Sequence, residues 1–408
     1  MMRSEYLDIA KLTVDADVLR LFKVVENHGG VLRFVGGAVR DALRDVKGYD
    51  LNLATDLSPD ELAEACAEEG YDTQPMGIKQ NSLGVKLNDS VVEISSLYKF
   101  VENNDGSVDI EYTDNWEEDA SRRDLTINAV YADEKGNVFD YYNGIEDLEK
   151  GYVRFIGSAN QKIKEDPLRI LRYFRFYAMY GLEEPNYKAI DACACNAELL
   201  KKVPMEKIRD ELFKILVTYH APRAFRLMQN NGVLSYILPD AQYVENLEFF
   251  NKIAVGEEVS DGEILRLFIL YRPDEVWAEN MAVRLKLNKS QKNLLINLAK
   301  VQCEFADLAN NEKQKIMVYR YGNEWCQAKW LALIAEKMKF PDDMWQVYHN
   351  FRQIEQSKFP LAGKDLMAQG MQSSREIGIM LKELEKRWIE SGFKLNKEQL
   401  LEQVKQVV

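Results

Sequence analysis

A short segment near the start of the chain restricts the fold more than any other part of the sequence. The apolar run Val31–Val35 predicts a strand, Gly36 and Gly37 predict a tight turn, and a short helix and a second strand follow. Alternate strand residues point to one side, so we expect Asp50 and Asn52 on a single face. Two carboxylates placed in this way can hold divalent cations for phosphoryl transfer. Here the second position carries an amide.

The rest of the chain changes character once. Val85–Leu87 and Val91–Leu97 predict further strands, and Val138–Tyr142 predicts the last one. After Gly151 almost the whole chain has helical periodicity, interrupted by glycine and proline. This order predicts an α+β fold, with a mixed sheet and its helices first and an all-helical remainder after it.

Composition and charge exclude several classes of protein. The 408 residues suggest several domains, and the net charge of −13 argues against non-specific coating of nucleic acid, although a local basic groove is compatible with it. We find no apolar run long enough to cross a membrane and no basic and apolar leader. The five cysteines lack the spacing of a disulfide framework or a zinc site, so we expect a reducing cytoplasm.

Two features of the predicted sheet can carry chemistry, and each also has a structural interpretation. A Gly36-Gly37 pair before a helix can cradle a phosphate, but such a pair is usually only a turn. Arg40 and Asp41, one turn into that helix, most simply form a surface ion pair. Glu93 lies on a strand with an apolar opposite face and can join a metal site and accept a proton. Spacing alone favours an exposed glutamate at that position.

A dense polar run at residues 122–129 contains Arg122, Arg123, Asp124 and Asn128. Arginine suits a triphosphate, and the acid and the amide suit ribose hydroxyls. A capped loop explains the run equally well. The preceding acid-rich stretch, residues 114–119, is interpreted as a solvated loop or the start of a helix.

A second run places acidic and basic side chains at three- and four-residue spacing, which predicts one polar helix face. Its carboxylate can accept from the exocyclic amine of a nucleobase and its arginines can donate to ring acceptors, as a template base would. A helix with internal ion pairs is the commoner interpretation. The residues concerned are Glu165, Asp166, Arg169, Arg172 and Arg175.

Taken in their order along the chain, these motifs resemble those of the class II tRNA nucleotidyltransferases and bacterial poly(A) polymerases of the polymerase-β superfamily. The resemblance extends over nearly the whole chain. The family pattern G-G-x-V-R-D followed by D-x-D is matched from Gly36 to Asp41 and at Asp50. R-R-D-[FL]-T-I-N-A is complete at residues 122–129, and E-D-x-x-R is matched at residues 165–169. Further matches are the third-carboxylate strand at 93–98, the hinge at 140–154 and a fifth motif at 206–214.

The resemblance implies a polymerase-β-like nucleotidyltransferase head at residues 1–141, a base-recognising neck at 142–200, a helical body at 201–330 and a helical tail at 331–408. It implies template-independent addition of CCA to the 3′ end of tRNA from CTP and ATP, with Mg²⁺ as cofactor. The acidic-to-neutral C-terminus favours tRNA maturation over poly(A) addition, which shares these motifs. The sequence leaves the oligomeric state open.

The resemblance also implies the role of individual residues. Asp50, Asn52 and Glu93 would be catalytic, and Asp50 and Asn52 would hold the metal. Asp166 and Arg169 would pair with the incoming base. The nucleotide-binding residues would be Gly36, Gly37, Arg40, Asp41, Arg122, Arg123, Asp124, Asn128, Glu165, Asp166, Arg169, Arg172 and Arg175.

Three departures from the family pattern all fall in the head. Asn52 replaces a metal carboxylate, Tyr98 stands where the family has arginine, and residues 76–82 replace a T-G-x-x-H-G-T-like stretch. The chain is therefore a divergent active enzyme, a paralogue that binds tRNA or nucleotide without catalysis, or an enzyme with an engineered change at Asn52. A helical scaffold with a vestigial head is a poorer alternative, because a scaffold has no need for the polar motifs.

Overall fold

The computed structural model describes residues 6–8, 12, 16–45, 51–76, 81–88, 90–102, 108–182, 184–239, 241–372 and 374–405. Asp50 lies outside these residues. The chain divides into two units, Met1–Asp240 and Ala241–Val408. Among the residues described, no helix is long and apolar enough to span a bilayer.

The first unit contains a mixed sheet and a separate two-stranded ribbon. Its strands are β1 (Leu32–Val35), β2 (Asn52–Thr55), β3 (Thr73–Met76), β4 (Ser82–Leu87), β5 (Ser90–Ser96), β6 (Tyr98–Glu102), β7 (Val108–Tyr112), β8 (Val130–Ala132) and β9 (Val138–Asp140). The sheet has the order β3-β4-β5-β2-β1-β8-β9, and β6 pairs with β7. Strands β2 and β5 run parallel, while the other neighbouring pairs are antiparallel.

Helices alternate with the strands of this sheet, and the part of the first unit after the last strand is helical. Those of the first unit are α1 (Ala16–Asn27), α2 (Gly37–Leu43), α3 (Pro59–Glu68), α4 (Trp116–Arg122), α5 (Gly144–Lys150), α6 (Ala159–Glu165), α7 (Arg169–Tyr180), α8 (Tyr187–Cys195), α9 (Met205–Leu216) and α10 (Ala221–Asn230). Short 3-10 turns lie at Thr126–Asn128, Ala197–Lys202 and Leu234–Tyr236. The predicted α+β class, with a mixed sheet followed by helices, is confirmed.

The second unit is helical throughout its described part. Its helices are α11 (Val244–Ile253), α12 (Gly262–Tyr271), α13 (Glu275–Arg284), α14 (Lys289–Lys300), α15 (Phe305–Ala309), α16 (Asn311–Tyr321), α17 (Asn323–Lys337), α18 (Met344–Gln353), α19 (Gly363–Met367), α20 (Ser374–Glu390) and α21 (Lys397–Lys405). Trp330 packs at the centre of this unit, where its indole N–H donates to the carbonyl of Met344 at 3.1 Å. Burial of a tryptophan is favourable when its N–H finds such an acceptor.

Both faces of the sheet are covered, which decides where Asn52 points. Leu53 packs with Phe34 in the core beneath the sheet, whereas Ala54 packs with Val35 and Tyr131 in a second core above it. Because side chains alternate along a strand, Asn52 lies on the same side as Ala54. That side carries the candidate site.

Several strand limits differ from the predicted ones for local reasons. The predicted strand Val138–Tyr142 ends at Asp140, because the carboxylate of Asp140 accepts from the backbone N–H groups of Gly144 and Ile145 at 2.9 Å and so starts α5. Strand β4 begins earlier than predicted, at Ser82, where small polar residues weaken the apolar signal. The sequence did not predict β3, whose Pro75 suits the edge position that β3 occupies in the sheet.

Candidate active site

The double glycine brings the backbone close to several polar side chains. Gly36 has φ 68°, a left-handed conformation that glycine adopts without strain, and α2 begins at the next residue. A Cβ atom on Gly36 would lie 3.5 Å from the carbonyl oxygen of Asn128. The predicted turn is therefore present, and its two glycines form part of the wall of a cavity.

Arg40 and Asp41 lie inside the molecule, so the interpretation as a surface ion pair is wrong. Arg40 is 6% exposed and Asp41 is 8% exposed. Arg40 donates to both carboxylate oxygens of Asp41, at 2.8 and 2.9 Å, and to the amide oxygen of Asn128 at 2.5 Å. The hydroxyl of Tyr180 donates to Asp41 at 2.5 Å. Burial raises the pKa of Tyr180 to about 12, so this donor stays protonated across the physiological range.

Asp119 anchors the two arginines of the R-R-D motif. It has no exposed surface, and its carboxylate accepts from Arg122 Nε at 2.7 Å, Arg123 Nη2 at 3.1 Å and the Tyr131 hydroxyl at 2.7 Å. Burial alone would raise the pKa of Asp119, but Arg123 and Arg122 hold it below its usual range. The acid-rich stretch does contain a helix start, with Asn115 as the N-cap of α4, but Asp119 is not solvated.

Asp124 links the R-R-D motif to helix α7. Its Oδ1 accepts from the Asn128 side-chain amide at 3.0 Å and from the backbone N–H of Leu125 at 2.8 Å, and its Oδ2 accepts from Arg172 Nε at 2.7 Å. Burial opposes ionisation here, yet Arg172 and these hydrogen bonds lower the pKa of Asp124 to about 2. A charged pair between the buried Asp124 and the partly exposed Arg172 therefore joins two motifs that lie 48 residues apart in the chain.

This pKa predicts a specific dependence of stability on pH. The pKa of Asp124 is lower in the folded state than its ordinary value of 3.8, so its contribution is present above pH 4 and is lost as the pH falls towards 2. Between pH 5 and pH 2 we expect the free energy of unfolding to lose about 2 kcal/mol from this group. Urea denaturation of the chain and of Asp124→Asn measures it, because the variant lacks this titration. A difference between the two that stays constant with pH would contradict the prediction.

Asp166 and Arg169 both face the cavity, but they do not share one helix as predicted. Asp166 has an extended backbone after the end of α6, and Pro167 follows it, because the residue before proline is driven out of the helical region. Its Oδ1 accepts from the backbone N–H of Leu168 at 3.0 Å. Arg169, at the start of α7, pairs with Glu165 at 2.6 Å. Glu165 thus orients Arg169 and is not part of the cavity wall.

Helix α6 and the start of α7 each contact the end of α4. Arg169 Nη2 donates to the backbone carbonyl of Arg122 at 3.2 Å, and Lys162 Nζ donates to the carbonyl of Ser121 at 2.8 Å. The last carbonyls of a helix have no partner within the helix, and cations near them are favourable. The segment predicted to recognise the base therefore holds the segment predicted to bind the triphosphate.

The ring of Phe176 lies close to the guanidinium groups of three arginines of the site. Its ring centroid lies 4.4 Å from the guanidinium carbon of Arg175, 4.9 Å from that of Arg40 and 6.0 Å from that of Arg172. The ring face attracts each cation without neutralising it. Arg175 also pairs with the buried Glu211 of α9 at 3.2 Å.

Asn52 and Glu93 are neighbours across the parallel pair β2–β5. They are register partners, so their side chains lie on the same face of the sheet, and both are half-buried. Ser95, two residues further along β5, lines the cavity together with Asn52 and has its hydroxyl 3.1 Å from that of Ser82. Within the described part of the chain, no three His, Cys, Asp or Glu side chains are grouped in a way that would hold a metal ion. On this face of the sheet the described residues offer the amide oxygen of Asn52 and the carboxylate of Glu93.

The residues of these motifs line a single cavity of about 850 Å³, a size typical of small-ligand sites. Seven of the lining side chains are arginine or lysine and three are aspartate, so the local basic groove that the net charge allowed is present in an acidic chain. Of the predicted site residues, the cavity wall includes Gly36, Gly37, Arg40, Asp41, Asn52, Arg122, Arg123, Asp124, Asn128, Asp166, Arg169, Arg172 and Arg175.

Some residues of the site were missed by the sequence analysis. Lys214 and Glu211 belong to the fifth motif, which was recognised without a role, and Lys214 lines the cavity. Tyr180 could not have been found, because its contact with Asp41 joins positions 139 residues apart and no local pattern marks it.

Comparisons with known proteins agree with this geometry. Residues 32–154 match the family model described as the poly A polymerase head domain, and residues 183–244 match the one described as the probable RNA and SrmB-binding site of polymerase A. CCA tRNA nucleotidyltransferase 1, mitochondrial, of Mus musculus is 33% identical over 93% of this chain and 87% of its own length. The fold resembles the CCA-adding enzyme of Bacillus stearothermophilus in complex with CTP, with a TM-score of 0.79 at 21% identity over 95% and 97% of the two chains. It also resembles the Thermotoga maritima CCA-adding enzyme complexed with tRNA(CCA), with a TM-score of 0.65 at 20% identity over the whole of both chains.

Proposed function

Since the chain belongs to the CCA tRNA nucleotidyltransferase family, we propose that it adds C, C and A to the 3′ end of tRNA, taking the nucleotides from CTP and ATP without a nucleic-acid template. The mouse relative named for this activity is matched over 87% of its own length, which supports the proposal. The partners would be the tRNA 3′ end and the two nucleoside triphosphates.

The observation that carries the proposal is the convergence of two motifs on one basic cavity. Asp166 and Arg169 present an acceptor and a donor at one part of its wall, and both are suited to the edge of a nucleobase. Arg122 and Arg40 lie along the same wall, where guanidinium groups suit the oxygens of a triphosphate. A single nucleoside triphosphate could use both parts at once.

The individual roles follow from these contacts. We assign base selection to Asp166 and Arg169, with Glu165 orienting the arginine. The Asp124–Asn128 pair, fixed by Arg172, is assigned to the ribose hydroxyls. Gly36, Gly37, Arg40, Asp41, Arg123 and Arg175 are assigned to the remaining nucleotide contacts, directly or by holding another group in place.

A divalent cation suits the oxygen groups on the sheet face, and Mg²⁺ is our proposal for it. Nucleotidyltransferases of this kind use a divalent metal, and the amide of Asn52 and the carboxylate of Glu93, together with Asp50, would hold it. When bound, such an ion activates the attacking hydroxyl and offsets charge on the triphosphate. We assign to Glu93 the role of accepting the proton of the 3′-hydroxyl. The amide supplies no charge, so the cation would be held more weakly than by a second carboxylate.

The deciding experiment is incorporation of labelled CMP and AMP into tRNA that lacks its 3′ CCA, with Mg²⁺ or Mn²⁺. We expect two C residues and then one A. Asp166→Ala should lower selectivity for CTP over UTP by about 5- to 100-fold, because one base-edge contact is lost, while Glu198→Ala, an exposed control, should behave like the present chain. Long A tracts would favour poly(A) addition, and a product independent of Asp166 would contradict the assigned base selection.

Asn52 favours one other function, that of a tRNA- or nucleotide-binding relative with impaired catalysis. Such a protein would keep the cavity and bind CTP, yet show no incorporation at any metal concentration. Binding of CTP without addition of nucleotides would support this alternative.

The proposed compartment rests on the cysteines, and the proposed domain limits rest on the sequence motifs and one family-model match. The cysteines are all unpaired, which suits the reducing cytoplasm expected from their spacing. We propose a head at residues 1–141, a neck at 142–200, a body at 201–330 and a tail at 331–408, the head being supported by the family-model match at 32–154.

A further inference from the structure

The ribbon formed by β6 and β7 contributes one aromatic ring to the site. Tyr98, the first residue of β6, lies beneath Arg122, with the guanidinium carbon 3.6 Å from the centroid of its ring. This is the shortest of the arginine–aromatic distances within the candidate site, where the other arginines approach rings at 4.4 Å or more. A cation so close to a ring face is attracted to it electrostatically.

The ribbon is fixed against α4, so the ring is held in place. The hydroxyl of Thr113 donates to Glu118 at 2.9 Å, and the backbone N–H of Thr113 donates to the carbonyl of Leu97 at 3.1 Å. Lys99 lies 3.9 Å from Glu118. Tyr98 also meets the ring of Phe100 edge-on at 5.5 Å. Through Glu118, Thr113 and Lys99 connect the end of the ribbon that carries Tyr98 to the helix that carries Arg122.

Asp119, the charged partner of Arg122, also serves other donors. The single carboxylate of Asp119 serves Arg122, Arg123 and the Tyr131 hydroxyl, so it is shared among three donors. A second carboxylate would orient Arg122 but would also cancel the charge that a phosphate requires. An aromatic face restricts the guanidinium and leaves its charge available. Arg122 lines the cavity, where that charge can act.

We propose that Tyr98 is a positioning residue, whose ring holds the Arg122 guanidinium in place for the phosphates of the incoming nucleotide. The inference rests on the proposed function, and it concerns a position where this chain departs from the arginine of the family pattern. It predicts that loss of the ring weakens nucleotide binding and leaves the RNA and the chemical step largely unaffected.

The test compares three variants of the full chain by direct CTP binding in calorimetry and by steady-state incorporation. Tyr98→Leu is expected to raise the Kd and the KM for CTP by about 3- to 10-fold, with kcat and the KM for tRNA changed by less than about twofold. The conservative Tyr98→Phe keeps the ring and should restore the Kd of the present chain. Phe100→Leu is the control for a general loosening of the ribbon, because it removes the neighbouring ring of the same strand and keeps the Tyr98 ring beneath Arg122.

A double-substitution cycle keeps the inference falsifiable if Tyr98→Leu loosens the ribbon. In an Arg122→Gln background, Tyr98→Leu should change the Kd for CTP by less than about twofold, because the cation that it supports is gone. Equal effects in both backgrounds, or an equal effect of Phe100→Leu, would overturn the proposal. Failure of the unaltered chain to bind CTP would instead contradict the proposed function.

Discussion

Replacing Asn52 by aspartate is expected to raise the rate of CMP and AMP addition by about two orders of magnitude. Asn52 faces the cavity beside Glu93 across the parallel strands β2 and β5, at the position where a second carboxylate would complete a metal site. Hard cations prefer charged oxygen ligands, and an amide offers oxygen without charge. The rate should be measured on tRNA lacking its CCA end, over a range of Mg²⁺ concentrations.

The variant Asn52→Ala provides the control for this measurement, because it removes the amide oxygen without adding charge. Its rate should lie at or below that of the present chain. Equal rates for the present chain and Asn52→Asp would show that the carboxylate is not needed. Activity only in Asn52→Asp would show that the defect lies in one metal ligand. No nucleotide addition by either protein would favour a relative that binds without catalysis.

The substitution Asp119→Asn is expected to lower the free energy of unfolding by about 3–5 kcal/mol. Asp119 has no exposed surface and compensates two guanidinium groups whose side chains are only 15% and 18% exposed, so its neutralisation leaves these charges without their partner. Nucleotide binding should weaken as well, since Arg122 and Arg123 would lose their common anchor. Chemical denaturation and CTP calorimetry measure the two effects.

Asp17→Asn is the matched control for Asp119→Asn. Asp17 pairs with Arg20 at 2.8 Å with the same three-residue spacing that joins Asp119 to Arg122, but the arginine is 69% exposed. An exposed pair contributes little, so we expect a change of less than about 1 kcal/mol. If the two substitutions cost the same, the buried cluster is not the source of stability that its geometry indicates.

The elements around the site could be predicted from the sequence because their signals are local. The double glycine, the short helix after it and the strand carrying Asn52 lie within about two dozen residues, and each is marked by periodicity or by a turn residue. The limits of β9 and β4 were not predicted correctly. The end of β9 depends on capping by Asp140, and the start of β4 lies among small residues that give little apolar signal. The fold class followed from the order of these elements.

The contacts that give the site its character were not predictable in the same way. Arg40 and Asp41 are buried where they bond with Asn128 and Tyr180, and both partners are distant in the sequence. Asp166 is a different case, because Pro167 was a visible reason to end the helix at that point. The spacing of the motif was right, but the assumption of one continuous helix was wrong.

The contact between α7 and α4 has a consequence for the fidelity of nucleotide selection. Arg169, to which we assign the base, donates from its guanidinium to the backbone carbonyl of Arg122, whose side chain we assign to the phosphates. A mismatched nucleotide that displaces Arg169 would therefore also disturb Arg122, the residue assigned to the phosphates. An error at the base would be transmitted to the reacting end, so that wrong substrates lose turnover as well as affinity.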